Sequence, residues 1–184
     1  MLKEVWEFLK YPENLILDID AAQKRKRLGQ LLFLAVSFSL LSGILLEAIA
    51  SVFHLDFGAH AAEKLMEEFS VLAIFFFAVI LAPLLEELIF RGPLGLFKNR
   101  KSFAYAFYIS VLLFGMIHIS NFEDLNGHYW AVPFMILPQL CAGTFLGFIR
   151  VKQGLIWSIL LHAGHNLILI GPFIFFKLLD IPIE

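Results

Sequence analysis

The stretch Val71–Phe97, VLAIFFFAVILAPLLEELIFRGPLGLF, decides the fold. From Val71 to Leu85 it carries no charge, and from Leu94 to Phe97 it is apolar again. A helix of about 20 such residues crosses the hydrocarbon core of a bilayer. Yet Glu86, Glu87 and Arg91 sit inside the run. A charge at the bilayer centre costs about 2.5–3.5 kcal/mol on insertion scales. Two carboxylates and a guanidinium in one span therefore need partners on other helices, and by default they mark a function.

Composition extends this reading to the whole chain. Of 184 residues, 60% are hydrophobic, only 16% are charged and 21 are phenylalanine, and the mean hydropathy is +0.81. A soluble domain of this size exposes far more polar surface than that allows. Five apolar segments stand out, at about Leu28–Phe53, Val71–Phe97, Ser102–Asn121, Trp130–Ile149 and Gly154–Phe176. Strands of an open sheet cannot satisfy their backbone in lipid, so the segments are helices. The expected fold is all-α: a polytopic bundle of about five transmembrane helices. Residues 1–30 read as a cytoplasmic or interfacial segment rather than a removable signal peptide, and residues 31–184 as one transmembrane domain. Leu2, Val5, Trp6, Phe8 and Leu9 cluster on one side of a short helix suited to the membrane interface. The single cysteine, Cys141, supplies neither a disulfide framework nor a cysteine metal site.

Basic residues set the expected orientation. Lys3, Lys10, Lys24, Arg25, Lys26, Arg27, Lys98, Arg100, Lys101, Arg150 and Lys152 fall on one side of the spans, and only Lys64 and Lys177 on the other. That asymmetry puts the N-terminus in the cytoplasm and the C-terminus outside, as in a bacterial plasma membrane. Nothing in the charge pattern points to nucleic acid. Smaller signals have plain readings: Gly143-x-x-x-Gly147 as a helix-packing face, Pro133 and Pro138 as a bend in the fourth span, Glu47 as interfacial. His54–Phe69 reads as solvated loop, with an amphipathic surface helix as the alternative.

Three spans each carry a pair four residues apart with at least one polar member. Glu87 and Arg91 share a helix face and can neutralise one another. Glu86, offset by about 100°, has no partner on its own helix, and a carboxylate so placed is a candidate general base. The competing reading is a polar cluster that only joins helices. Phe114-Gly-Met-Ile-His118 places His118 on the third span. His162-Ala-Gly-His165-Asn166 places His162 and Asn166 on one face of the fifth, with His165 directed elsewhere as a packing or access residue.

Taken singly these pairs are weak signals. Their ordered combination, Glu-Glu-x-x-x-Arg, Phe-x-x-x-His and His-x-x-x-Asn within Val71–Phe176, resembles the CPBP family of intramembrane proteases, which includes the CAAX prenyl endopeptidase Rce1 and the bacterial Abi proteins. The resemblance implies a membrane-embedded endopeptidase. In it Glu86 and His118 activate water, Glu87 and Arg91 form a supporting ion pair, and His162 and Asn166 stabilise the oxyanion. It also implies a peptide or membrane-protein substrate met in lipid, the tail of a lipid-modified protein among the candidates. A metal-free mechanism is preferred; if zinc takes part, Glu86, His118 and His162 are its ligand set. The alternatives are a small transporter or proton or cation relay built on the same Glu/His cluster, and an inactive scaffold or immunity protein. One count sits against convergence. At about 1.5 Å per residue from the basic ends, Glu86 lies roughly 18 Å deep, His162 about 14 Å and His118 about 24 Å.

Overall fold

The computed structural model describes residues 1–58 and 60–179, leaving aside the side chains at 62 and 63. The expected outward C-terminal end therefore lies outside the described residues. Helix α1 (Leu2–Lys10) buries Val5 and Phe8. Phe8 meets the rings of Phe107 and Phe148 edge-on, with centroids 5.0 and 5.4 Å apart. The expected interfacial helix thus lays part of its apolar face on the bundle itself, while Trp6 stays 60% exposed. An extended segment follows, tied down by Leu17 N–H on the Lys152 carbonyl (2.9 Å) and by the Asn14 amide on the Phe97 carbonyl (3.3 Å).

Among the described residues, five helices are long and apolar enough to cross a membrane: Ala21–Phe53, Val71–Leu96, Arg100–Asn121, Tyr129–Gln153 and Leu155–Leu178. The protein is an integral membrane protein with an all-helical bundle. Span 1 is α2 (Ala21–Phe53). It begins ahead of the expected Leu28 because Asp20 accepts from Gln23 N–H (2.7 Å) while the Gln23 side chain accepts from Asp20 N–H (3.2 Å). This reciprocal cap satisfies two free N–H groups and carries the helix through the basic run Lys24–Arg27. Beyond span 1, Ala61–Glu68 forms helix α3, where solvated loop was expected.

Span 2 is not one regular helix. It runs through α4 (Val71–Ile74), a π-helical stretch Phe75–Leu81, α5 (Ala82–Glu86), a second π-helical stretch Glu87–Arg91 and a 3-10 turn Pro93–Leu96. Such π stretches are rare and gather at functional sites. Gly92 closes the second one: a Cβ there would lie 2.3 Å from the Leu88 carbonyl oxygen. Span 3 is α6 (Arg100–Ile117) continued by a 3-10 turn His118–Asn121. Span 4 opens with a 3-10 turn Tyr129–Ala131 and α7 (Val132–Met135), breaks at Ile136 and resumes as α8 (Leu137–Gln153). Pro133 and Pro138, each at the start of a helix, account for the break, as expected. Span 5 is α9 (Leu155–Leu178).

Helix α8 is central, packed against α2, α6 and α9. Its small residues permit this. A Cβ on Gly147 would sit 2.6 Å from the Phe107 ring, and one on Gly143 would meet Phe114 at 3.0 Å and the Arg91 guanidinium at 3.1 Å. The expected packing face is therefore real, and it presses two phenylalanines and a buried cation of neighbouring spans against the α8 backbone. At the other end of the bundle the two loops are stitched together. Asn126 donates to the Asp56 carbonyl (2.7 Å), and Lys64 pairs with Glu123 (3.2 Å).

Overpacking a filled contact costs about 1–3 kcal/mol. Gly147→Ala is expected to lower stability by that amount in a detergent unfolding titration. Gly29→Ala, whose Cβ meets nothing within 4 Å, is expected to be neutral or to stabilise α2 by up to about 1 kcal/mol.

Candidate active site

Glu87 and Arg91 are both fully buried, and Arg91 is the largest such side chain among the described residues. Neither ion is tolerable alone at such a position, so the surroundings have to compensate both. Arg91 Nη1 lies 3.4 Å from Glu87 Oε1. This is an ion pair rather than an aligned hydrogen bond, since Nη1 and Nε have no hydrogen-bond partner. The guanidinium also stacks over the Phe114 ring, 3.9 Å from its centroid, and Nη2 donates to the Gly143 carbonyl (3.4 Å). Glu87 takes two further contacts. Its Oε1 is 3.1 Å from His162 Nδ1, and its Oε2 accepts from the Ser158 hydroxyl, which also lies against the Leu146 carbonyl.

Glu86 faces a different set of groups. Its side chain keeps 26% exposure, against none for Glu87. Its Oε2 lies 3.9 Å from His118 Nε2 and 3.8 Å from His162 Nε2. The far nitrogens of both rings are already committed. His118 Nδ1 is 2.6 Å from the Phe114 carbonyl, and a carbonyl only accepts, so Nδ1 carries the hydrogen. His162 Nδ1 donates to Glu87 by the same reasoning. In the neutral rings both Nε2 atoms are then lone pairs, and they face a carboxylate oxygen that is buried without a hydrogen-bond partner. Three acceptors converge with no donor among them. What fits between is a molecule with hydrogens to give, or a cation.

The depth mismatch counted along the sequence dissolves here. His118 folds back over its own helix onto the Phe114 carbonyl, one turn nearer the basic end. In that position its Nε2 reaches within 3.9 Å of Glu86 Oε2.

Asn166 stands apart from this group. Its Nδ2 donates to the Ala78 carbonyl (2.9 Å) in span 2, about two helical turns before Glu86. The structure thus gathers Glu86, Glu87, Arg91, His118 and His162, and sets Asn166 one turn beyond His162 along α9. Of the two roles expected for His165, packing or access, its burial fits packing, and it is hydrogen-bonded to Ser39 (2.9 Å) and Asn166 (3.3 Å).

A zinc set of one carboxylate and two unprotonated imidazole nitrogens is chemically complete at Glu86, His118 and His162. Ligand atoms around tetrahedral zinc stand about 3.4 Å apart, closer than the 3.8 and 3.9 Å seen here. Among the described residues no group of three such side chains meets metal-holding geometry. The donors fit in kind and would have to draw in by about half an ångström to bind.

Several contributors were not apparent from the motifs. Ser158 lies four residues before His162, and that spacing, which puts both on one face of α9, was the available signal. Phe114 was seen only as the partner of His118; its ring also contacts His162, with centroids 5.6 Å apart, and carries Arg91. Arg150, counted as a loop cation, is in α8 and donates to the Arg91 carbonyl (3.1 Å), holding the end of the Glu-Glu segment.

Removing one member of a buried pair leaves the other ion uncompensated, at about 3–5 kcal/mol. Arg91→Leu is expected to lower stability by that much in a thermal melt in detergent. The double variant Glu87→Gln/Arg91→Leu is expected to recover at least half of the loss.

Searches of curated proteins and of solved structures return no match to this chain. The family model described as "Type II CAAX prenyl endopeptidase Rce1-like" matches residues 68–168. The matched region contains all of the polar residues of spans 2, 3 and 5 described above, covers more than half of the chain, and shows that the chain belongs to the Rce1-like family of CAAX-protease-type membrane endopeptidases.

Proposed function

We propose that this chain is an intramembrane endopeptidase that uses Glu86 and His118 to activate water against a peptide bond of a membrane-associated protein or peptide. The observation that supports this most directly is the convergence of Glu86 Oε2 with the Nε2 atoms of His118 and His162, at 3.9 and 3.8 Å. Water between them donates one hydrogen to Glu86 and one to an imidazole. A peptide carbonyl brought against that water is attacked by its oxygen as Glu86 takes the proton. The carbon becomes tetrahedral and its oxygen negative. When the C–N bond breaks, Glu86 returns the proton to the departing amine, and the free carboxylic end leaves with the water oxygen.

The negative oxygen needs donors in a site short of water. His162 is the nearest candidate, with Asn166 one turn away. The Nδ1–H of His162 is already given to Glu87, so only an Nε2–H can serve the oxyanion. His162 serves it after taking a proton from solvent on Nε2, with the Glu87 carboxylate as counter-charge, and returns that proton to solvent once the oxyanion collapses. This gives the two glutamates distinct work: Glu86 handles the water proton, while Glu87 orients and balances His162. If zinc binds, Glu86, His118 and His162 hold it, and it supplies a Lewis acid and a more acidic bound water.

The substrate reaches the site from the lipid or its surface, and the C-terminal tail of a lipid-modified protein is one candidate. Leu84, Leu85, Leu88 and Ile89 around Glu86 are exposed on the outside of span 2. The orientation that goes with this reading puts the basic end of the bundle, with Lys24–Arg27, in the cytoplasm of a bacterial cell.

Purified protein in liposomes is expected to cleave at least one member of a peptide set that includes prenylated peptides with a CAAX terminus. Glu86→Gln and His118→Ala are each expected to lower kcat about 10²–10⁴-fold. Equal cleavage by wild type and Glu86→Gln would refute the assignment. Ion flux that depends on Glu86, with no peptide cut, would instead establish a relay. In the same assay, loss of cleavage with 1,10-phenanthroline and its return with zinc would establish the metal form; full activity with chelator is the outcome expected here.

A further inference from the structure

The π-helical stretch Phe75–Leu81 leaves one backbone carbonyl over. Ala82 N–H bonds to the Phe77 carbonyl, five residues back. In that register the Ala78 carbonyl would take the N–H of residue 83, but that residue is Pro83, which has none. A carbonyl without a partner inside a membrane span is costly, and here the Asn166 side chain fills the vacancy, Nδ2 donating at 2.9 Å. A helix irregularity in span 2 is thus coupled to the position of a candidate oxyanion donor on span 5.

The other end of the Asn166 carboxamide is held as well. Its Oδ1 lies 3.3 Å from His165 Nδ1. An amide oxygen only accepts, so Nδ1 carries the hydrogen, and the neutral ring presents Nε2 as an acceptor. The Ser39 hydroxyl of span 1 lies 2.9 Å from that Nε2 and 3.4 Å from the Pro138 carbonyl; in this tautomer both are acceptors, and its one hydrogen goes to the nearer, Nε2. Ser39 and His165 are both buried, at 6% and 8% exposure. Turning the carboxamide over would set oxygen against the Ala78 carbonyl and NH2 against the His165 N–H, so only one orientation is satisfied. Of the two Nδ2 hydrogens, one goes to Ala78 and the other is uncommitted among the described residues.

We propose that Ser39 and His165 are positioning residues for the peptidase reaction: a buried hydrogen-bond relay from span 1 through span 5 that, with the carbonyl released by Pro83, fixes the Asn166 carboxamide with one N–H free for the oxyanion. This rests on the reading of Asn166 as an oxyanion donor. Both relay residues act through Asn166 and touch no substrate. A relay that merely ties spans 1, 2 and 5 together would affect stability, and would affect turnover equally with or without Asn166.

The test is a double-mutant cycle on the best-cleaved peptide in liposomes, with kcat and KM measured separately. Asn166→Ala is expected to lower kcat about 10²-fold, the loss of one oxyanion donor. His165→Leu and Ser39→Ala are expected to lower kcat about tenfold or less through misorientation, with KM within about twofold. In the Asn166→Ala background the same two substitutions are expected to have no further effect on kcat. His165→Asn, whose amide nitrogen can stand in for Nδ1, is expected to restore most of the activity lost in His165→Leu. If His165→Leu and Ser39→Ala lose the same factor in both backgrounds, the relay is refuted while the oxyanion role of Asn166 stands. If Asn166→Ala itself leaves kcat unchanged, that role falls and the relay with it. Ser39→Ala, a small change at one hydroxyl, keeps the test decisive should His165→Leu fail to fold.

Discussion

An arginine and a glutamate with no exposure at all, Arg91 and Glu87, set the terms for the rest of this structure. Each ion stripped of water costs several kcal/mol after relaxation, and their mutual attraction offsets that only if further polar contacts complete both groups. The neighbours follow from this requirement. Gly143 has no side chain, so its carbonyl and helix backbone can approach the guanidinium. Phe114 presents its ring face to the same cation, a contact worth about 2 kcal/mol when desolvated. Ser158 and His162 complete the carboxylate. Spans 2, 3, 4 and 5 thus meet at one ion pair, and none of the four can move there without exposing a charge to lipid.

The histidine in that arrangement turns a structural need into a chemical one. Glu87 holds His162 by Nδ1, which decides that Nε2 looks toward Glu86. The Phe114 carbonyl does the same for His118. Neither ring is free to reverse without leaving a buried acceptor bare. On the proposed reading the water-activating group is preorganised, since donors are supplied on the far sides of the rings and withheld from the near side. Adjacent glutamates therefore part company by helix geometry alone. An offset of about 100° points one into a sealed polar knot and the other, partly exposed, toward the two imidazoles.

The spans and the order of the motifs were legible because both depend on local sequence: unbroken hydropathy, and pairs four residues apart. The ends of the helices were less so. Asp20 and Gln23 form a reciprocal cap that carries α2 through Lys24–Arg27, a run whose charge had left it outside the expected first span. What the motifs could not convey was where side chains bend. His118 counted as too deep because a ring that folds back along its own helix is invisible to residue counting. Asn166 aligned with the oxyanion pair, but its first hydrogen bond goes to the Ala78 carbonyl, since a π stretch and Pro83 together left that carbonyl without an N–H. Ser158 and Gly143 carry no chemistry that singles them out; their part comes from lying against an ion pair supplied by another span.

The most direct test is the hydrogen position on the two imidazoles. In protein with ¹⁵N-labelled histidine reconstituted in lipid, and assigned with single histidine variants, nitrogen NMR distinguishes the protonated ring nitrogen from the bare one. The account predicts that His118 and His162 in the resting protein carry their hydrogens on Nδ1, with both Nε2 atoms unprotonated. A hydrogen on Nε2 of His162 in its neutral ring would mean that it donates directly to Glu86 and that Glu87 does not hold it. That result would contradict both the brace assigned to Glu87 and the converging acceptors on which the proposed chemistry stands.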